Sequence, residues 1–351
     1  MNTPSNLPLA LGLIIFSFLL NSLLVVPFIN LLYRLRLTRR KEAQKGGTES
    51  LFDKLHDIKA GTPIGGGILI IVSVTLLFFA IFYFASFMGV LVRSAHHLGS
   101  ELFVIFFTFL SFGLLGLTDD IKKIFAKGRA GALGFAYGLT RKQKFLIQWA
   151  LAFFIGFLLF NNLGIKILHI PFLGETVNLG VFYIPFAAFL IVTFANAFNI
   201  TDGLDGLSCG LLVIFLLTFG FIAAASLDTP LWIFIALWIG ALMAFLYFNV
   251  YPARIFLGDA GALSFGATIA VIGLLTGGVF ALVVVGGIFL LEVTSSAIQI
   301  FGWRVLKRPI LPMAPIHHAF QAMGWEEPKI VMRAWLAGIM LAIFGLWLAT
   351  I

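Results

Sequence analysis

Cysteine is all but missing. The single copy, Cys209, excludes an intramolecular disulfide framework and reads as a small apolar packing residue. Charge is scarce as well: 11% of the 351 residues, against roughly 25% in a soluble domain. No small-residue cleavage site follows the first apolar run, so that run reads as a span and not a removable leader. No long internal repeat is visible, which gives an inverted-repeat transporter little support. What the chain has instead is 61% hydrophobic and 15% aromatic residues. A soluble core cannot take up so many, because surface grows with chain length. The fold class expected is an all-α polytopic membrane protein, one integral-membrane domain over 1–351.

A helix needs about 20 apolar residues to cross the hydrocarbon core. Ten stretches qualify, at roughly 8–33, 66–92, 100–118, 145–163, 181–198, 207–227, 230–249, 263–281, 282–303 and 332–350. The eighth and ninth meet only at "TGGVFALVVVGG". Lys and Arg set the orientation. Eight fall in 34–59, seven in 119–144, one at Arg254 and five in 304–333, all on one side of a ten-span chain. Arg93 and Lys166 fall opposite. The basic face is therefore expected in the cytoplasm and both termini outside. The net charge of +8 is mostly this topology signal. The bilayer is its expected partner, and no nucleic acid is expected. On the outer side, "IKILHIPFLGETVNLGVFYI" alternates around "LGET" and suggests a short β-hairpin.

Among the fifteen acids, five aspartates lie at cytoplasmic ends of expected helices. They are Asp119 and Asp120 in "GLTDD", Asp202 and Asp205 in "NITDGLDG", and Asp259 in "LGDAG". An Asp at a helix start is often only an N-cap, and Asp205 and Asp259 both fit that reading. Five on one face beside Gly-rich turns fit it poorly, because acids near a membrane are costly and usually functional. Adjacent Asp119 and Asp120 repel unless a cation or proton intervenes. A hard divalent ion, Mg²⁺ above all, suits carboxylates that share a site with phosphates. "GTPIGGG" (61–67) and "LGDAG" (257–261) precede helices, whose N-termini favour anions. With Lys59, Lys122, Lys123 and Lys144 they are expected to cradle a diphosphate. Phosphoryl transfer to a lipid is the chemistry this pattern suggests.

"KAGTPIGGG", "GLTDD", "NAFNITDGLDGL", "NVYPARIFLGDAGALSFG" and "MAPIHHAFQAMGWEEPKIVMRAW" occur in that order. Together they resemble the phospho-N-acetylmuramoyl-pentapeptide transferases, within the polyprenyl-phosphate N-acetylhexosamine-1-phosphate transferase superfamily. The Asp motifs are superfamily-wide, and the His-containing stretch points to the muramoyl-pentapeptide branch. The resemblance implies transfer of phospho-N-acetylmuramoyl-pentapeptide from UDP to undecaprenyl phosphate, with release of UMP and formation of lipid I. It implies Mg²⁺, a homodimer and a place in the bacterial cytoplasmic (inner) membrane. By motif, Asp259 would be the Mg²⁺ ligand, with Asp202 also at the metal. Asp119 would be the base near the lipid phosphate and Asp120 its support. Asp202, Asn196 and Asn199 would meet the nucleotide-sugar. Lys59, Asp205, Asn249 and Phe256 would form the uridine pocket, with Phe256 stacking on uracil. Lys123, Lys144 and Gln299 would line the phosphate and sugar groove, with His317 and His318 at its rim and His318 among the catalytic residues.

The chain departs from that family in places. Three consecutive histidines followed by "FE" are usual there, whereas "HHAFQ" places Ala319 and Gln321 at two of those positions. Ile64 replaces the usual threonine after "GTP". His96 and His97 are expected to be exposed outer-loop residues, and Glu292 to make a hydrogen bond within the bundle. Two rival readings stand beside this one. One is a sibling enzyme that transfers N-acetylglucosamine-1-phosphate; the other is an ion-coupled transporter, whose acids would lie near the bilayer midplane.

Overall fold

The computed structural model describes residues 7–39, 59–87, 92–125 and 139–351. Lipid offers no partner to a bare N–H or C=O, so apolar runs of this length must satisfy their own backbones as helices. The first four are α1 (Leu7–Arg34), α2 (Gly66–Phe87), α3 (Leu98–Phe125) and α4 (Arg141–Asn161). A hairpin of β1 (Ile167–Ile170) and β2 (Glu175–Asn178) follows. Next come α5 (Tyr183–Thr201), α6 (Leu207–Ala225), α7 (Thr229–Asn249) and α8 (Gly258–Leu275). The chain ends through α9 (Val279–Val285), α10 (Gly287–Phe301), α11 (Ile316–Ala322) and α12 (Glu327–Leu348). Ten of these helices, all but α9 and α11, are long and apolar enough to cross a membrane. The antiparallel hairpin is in the expected place, in register Ile167 to Asn178 and Ile170 to Glu175, and turns at Gly174 with φ 61°.

The expected boundary between the eighth and ninth spans is wrong. "VFALVVV" is a separate seven-residue helix, α9, rather than the junction of two spans. Gly277, at φ 67°, follows the end of α8 at Leu275, six residues before the expected 281, and the span begins five residues before the expected 263. Three other ends also move: α3 runs on to Phe125, α4 begins at Arg141 and α12 begins at Glu327. Each shift draws polar residues into a helical turn. Asp119, Asp120 and Lys123 lie on the last turns of α3, Lys144 on the first turn of α4 and Asp259 on the first turn of α8. Hydropathy marks where the apolar run stops, and a helix can continue past that point. Thr140 starts α4 with a capping box: its hydroxyl accepts from Gln143 N while the Gln143 side chain accepts from Thr140 N. Expected residues 88–91 of the second span lie outside the described residues.

The most enclosed span is α8, rich in Gly and Ala. Without a hydrophobic drive between helices in lipid, small residues let backbones approach and gain dispersion energy. A Cβ on Gly116 of α3 would stand 2.1 Å from the Asp259 carbonyl oxygen, and one on Gly67 of α2 would stand 2.3 Å from Gly261 Cα. The approach at Gly116 brings the acids of α3 up to the first turn of α8. Outer helices present bulky apolar groups such as Leu23, 74% exposed, to the surroundings.

The opposite end of the bundle holds Glu101, Asp228 and His96. Glu101 stands 18 residues before Asp119 on α3, about 27 Å along the axis. Thr229 N donates to the Arg93 carbonyl at 2.8 Å there, so Arg93 falls at the far end, as the charge count requires. His97 is exposed, as expected, but His96 is half-buried, with Nε2 3.1 Å from the Leu275 carbonyl oxygen. Cys209 is buried and unbridged.

Candidate active site

Two ammonium groups share two carboxylates where α3, α4 and α8 meet. Asp259 Oδ2 accepts from Lys123 Nζ and from Lys144 Nζ, both at 2.7 Å. Asp119 Oδ2 pairs with Lys144 at 3.0 Å and Lys123 at 3.1 Å. Asn199 Nδ2, from the last turn of α5, donates to Asp259 Oδ1 at 3.0 Å. Leu139 N donates to Asp119 Oδ1 at 2.9 Å. Asp259 is thus gripped on both oxygens and is not a side-chain N-cap.

Capping falls to Asp120. Its two oxygens accept the N–H groups of Asp259 (3.1 Å) and Ala260 (3.0 Å), donors that the start of α8 would otherwise leave unpaired. Gly258, just before them, has φ 81°, and a Cβ there would come 2.8 Å from Asp120 Oδ2. Asp120 therefore orients Asp259. The expected glycine cradle is not available as drawn. Gly65 and Gly66 N–H groups donate to the Phe256 carbonyl, and Gly67 N–H to that of Leu257. Those donors knit two loops together, because a buried N–H takes the nearest carbonyl. Of the groups expected in the cradle, the lysine ammonium groups remain.

A second group lies at the start of α12. Lys59 Nζ donates to Asp205 Oδ1 and to Glu327 Oε1, each at 2.6 Å. Glu327 Oε1 also accepts from Asp205 N at 2.6 Å. Asp205 Oδ2 accepts from Ala253 N at 2.9 Å, so this aspartate is no N-cap either. Asn249 Nδ2 donates to the Ile255 carbonyl at 2.9 Å and braces the same 250–256 loop. That loop carries Phe256, half-buried, with the Arg39 guanidinium 5.7 Å from its ring centroid.

Asp202 lies electrostatically between the groups. Ser208 Oγ donates to its Oδ1 at 2.5 Å. Burial pushes the Asp202 carboxyl up to about 7 and Asp259 adds to the rise; the Ser208 hydroxyl, Lys59 and Arg39 oppose it. The histidines pack beside this loop. His317 Nδ1 is 2.9 Å from Glu292 Oε2, the bundle hydrogen bond expected of Glu292. A Cβ on Gly203 would stand 2.5 Å from His317 Nε2. His318 lies ring to ring with His317, centroids 4.2 Å apart, with Nδ1 2.7 Å from Gln321 Oε1. Burial pulls the His318 imidazole down to about 4, with His317, Lys59 and Arg39 acting in the same direction and Gln321 against it.

Asn196 and Gln299 bond elsewhere in the scaffold. Asn196 Nδ2 donates to Gln148 Oε1 at 2.8 Å. Gln299 donates to the Leu311 carbonyl and accepts from Ile310 N and Leu311 N. Sequence reasoning missed Glu327, Arg39 and Ser208. An acid opening the apolar run of α12 was the one signal available for Glu327.

The carboxylate oxygens of Asp119, Asp202 and Asp259 are hard donors of the kind a divalent ion takes. Among the described residues, no three His, Cys, Asp or Glu side chains gather as a ready metal cage. Asp119 and Asp259 gather instead around two ammonium groups.

Comparison with known proteins places this arrangement in context. Residues 102–277 match the family described as Glycosyl transferase family 4. The chain is 36% identical, over 83% of its length and 85% of the relative's, to a phospho-N-acetylmuramoyl-pentapeptide-transferase of Caldanaerobacter subterraneus subsp. tengcongensis. It is 33% identical to the protein of that name from Geobacillus sp. (strain WCH70), over 95% and 96% of the two chains. The corresponding protein of Clostridium perfringens (strain SM101 / Type A) is 35% identical over 91% and 90%.

Proposed function

The chain belongs to the phospho-N-acetylmuramoyl-pentapeptide transferases of glycosyl transferase family 4, and from that premise we propose how its buried acids and lysines carry the reaction. It is a multi-pass membrane enzyme of peptidoglycan synthesis. It moves phospho-N-acetylmuramoyl-pentapeptide from UDP to undecaprenyl phosphate, so that UMP leaves and lipid I forms.

The observation that carries the site assignment is the pair of lysines shared by Asp119 and Asp259. Two anions, the lipid phosphate and the UDP-sugar, must come together. Lys123 and Lys144 offset their repulsion and stabilise charge as it develops on the transferred group. A lipid phosphate oxygen attacks the sugar-linked phosphorus; the bond from that phosphorus to UMP breaks, and UMP keeps the electron pair. Asp119 takes any proton still on the attacking phosphate. Asp120 holds Asp259 in place through the start of α8. Lys59, Asp205 and Phe256 receive the uridine, Phe256 by stacking and Asp205 as acceptor for the imide N–H. Asn199 and the His317–His318 pair line the way to the sugar. Asp259 and Asp202 would hold Mg²⁺, which would supply Lewis-acid charge to the phosphates. The cluster faces the cytoplasm, where UDP-sugars are found, and the working unit is a homodimer.

The test is transfer in detergent from radiolabelled UDP-N-acetylmuramoyl-pentapeptide to undecaprenyl phosphate, with and without Mg²⁺. UMP and labelled lipid should appear together, only with Mg²⁺, and UDP-N-acetylglucosamine should not substitute. Failure to make labelled lipid, or equal use of both sugars, would overturn the reading. Sedimentation in detergent tests the dimer, and a mass of one chain at assay concentration would refute it.

A further inference from the structure

Lys59 has three ammonium protons, and two of them are committed. One goes to Asp205 Oδ1 and one to Glu327 Oε1, both at 2.6 Å. The lysine side chain is only 14% exposed, and the two acids are 4% and 10% exposed. Glu327 also takes the backbone N–H of Asp205 on the same oxygen. It therefore fixes the lysine and the aspartate relative to each other, from the first residue of the last helix. The three side chains together carry a net charge of −1. A corner so charged attracts phosphate less than the Lys123–Lys144 pair, whose two carboxylates leave it neutral. It presents one remaining ammonium proton to a neutral acceptor, such as a base carbonyl or a ribose oxygen. Trp335, one turn further along α12 than Val331, lies against Gly206 and Gly210, where a Cβ would come within 3.6 Å and 2.1 Å of its ring. The same helix thus backs the loop that carries Asp205.

We infer that Glu327 is a positioning residue for nucleotide recognition: by sharing Lys59 with Asp205 it makes that lysine a donor to the uncharged nucleoside and withholds it from phosphate. The inference rests on the assignment of Lys59 and Asp205 to the uridine pocket. Glu327 touches no reacting atom and acts through Lys59.

Glu327→Gln keeps the shape and removes the charge. The variant should raise the UDP-sugar KM five- to twentyfold with kcat within twofold. Inhibition by free uridine should weaken in step, while inhibition by inorganic pyrophosphate should strengthen at least threefold, because Lys59 regains net positive character. A purely structural role would not shift two inhibitors in opposite directions. In a Lys59→Met background, adding Glu327→Gln should change the KM less than twofold. Glu327→Ala, which also removes the charge, provides the same inhibitor comparison if the amide does not fold. Unchanged inhibitor constants in a folded variant, or an undiminished Glu327→Gln effect without Lys59, would overturn the inference. Absence of transfer by the unmodified protein would instead defeat the parent functional reading.

Discussion

Asp259→Asn is the sharpest perturbation of the site. The carboxylate accepts two ammonium protons on Oδ2 at 2.7 Å and an amide proton on Oδ1 at 3.0 Å. The amide replacement keeps the volume but loses the charge that gathers Lys123 and Lys144. Loss of one preorganised electrostatic partner typically costs about 2.7–4 kcal/mol in the transition state, roughly 10²–10³ in turnover. The cost in stability is much smaller. Lys123 is 50% exposed and can retreat to water, and Lys144 keeps Asp119 as partner. Two charge-assisted bonds exchanged for weaker ones come to about 1–2 kcal/mol. Expression, insertion and melting in detergent should thus stay close to the parent protein. The assay is UMP release at saturating substrates across a Mg²⁺ titration. Turnover in Asp259→Asn within threefold of the parent at any Mg²⁺ concentration would refute both the metal assignment and the role of the shared lysines.

Three further outcomes are expected. Phe256→Ala should raise the UDP-sugar KM more than that of the lipid, by about 1–3 kcal/mol of lost stacking; initial-rate kinetics with each substrate varied would show otherwise if the lipid KM moved more. His318 has its folded pKa lowered from 6.5 to about 4, so between those values the unfolded chain binds a proton that the folded one refuses. Stability from this group is therefore full above pH 6.5 and falls as pH drops towards 4, by at most about 3 kcal/mol. Detergent unfolding of His318→Gln should show a correspondingly shallower acid loss, and parallel pH profiles would reject the assignment. In a Cys209→Ala background, Ser94→Cys should react with an impermeant thiol reagent only from outside and Lys142→Cys only from the cytoplasm; reversed labelling would put the site on the wrong side for a UDP-sugar.

Ten crossing helices, the outer hairpin and the gathering of five aspartates at one end were legible in the chain itself. Hydropathy and the Lys/Arg skew are additive along the sequence, and lipid leaves few alternatives to a helix once an apolar run is long enough. Helix ends were less legible, because polar residues such as Asp119, Lys123 and Lys144 continue a helix by capping and ion pairing after the apolar run has stopped. Asp119, Lys123, Lys144, Asn199 and Asp259 do meet, but only tertiary packing decided what each holds. Lys144 reaches Asp259 over 115 positions, Lys123 over 136 and Lys59 reaches Glu327 over 268. No local pattern carries such pairings. The glycines of "GTPIGGG" were equally silent: a loop N–H can face a phosphate or another loop, and here the carbonyls of Phe256 and Leu257 came closer. Which acid caps a helix was settled in the same way. Asp120 takes the free N–H groups of α8 because Gly116 lets two backbones approach to where only a glycine fits.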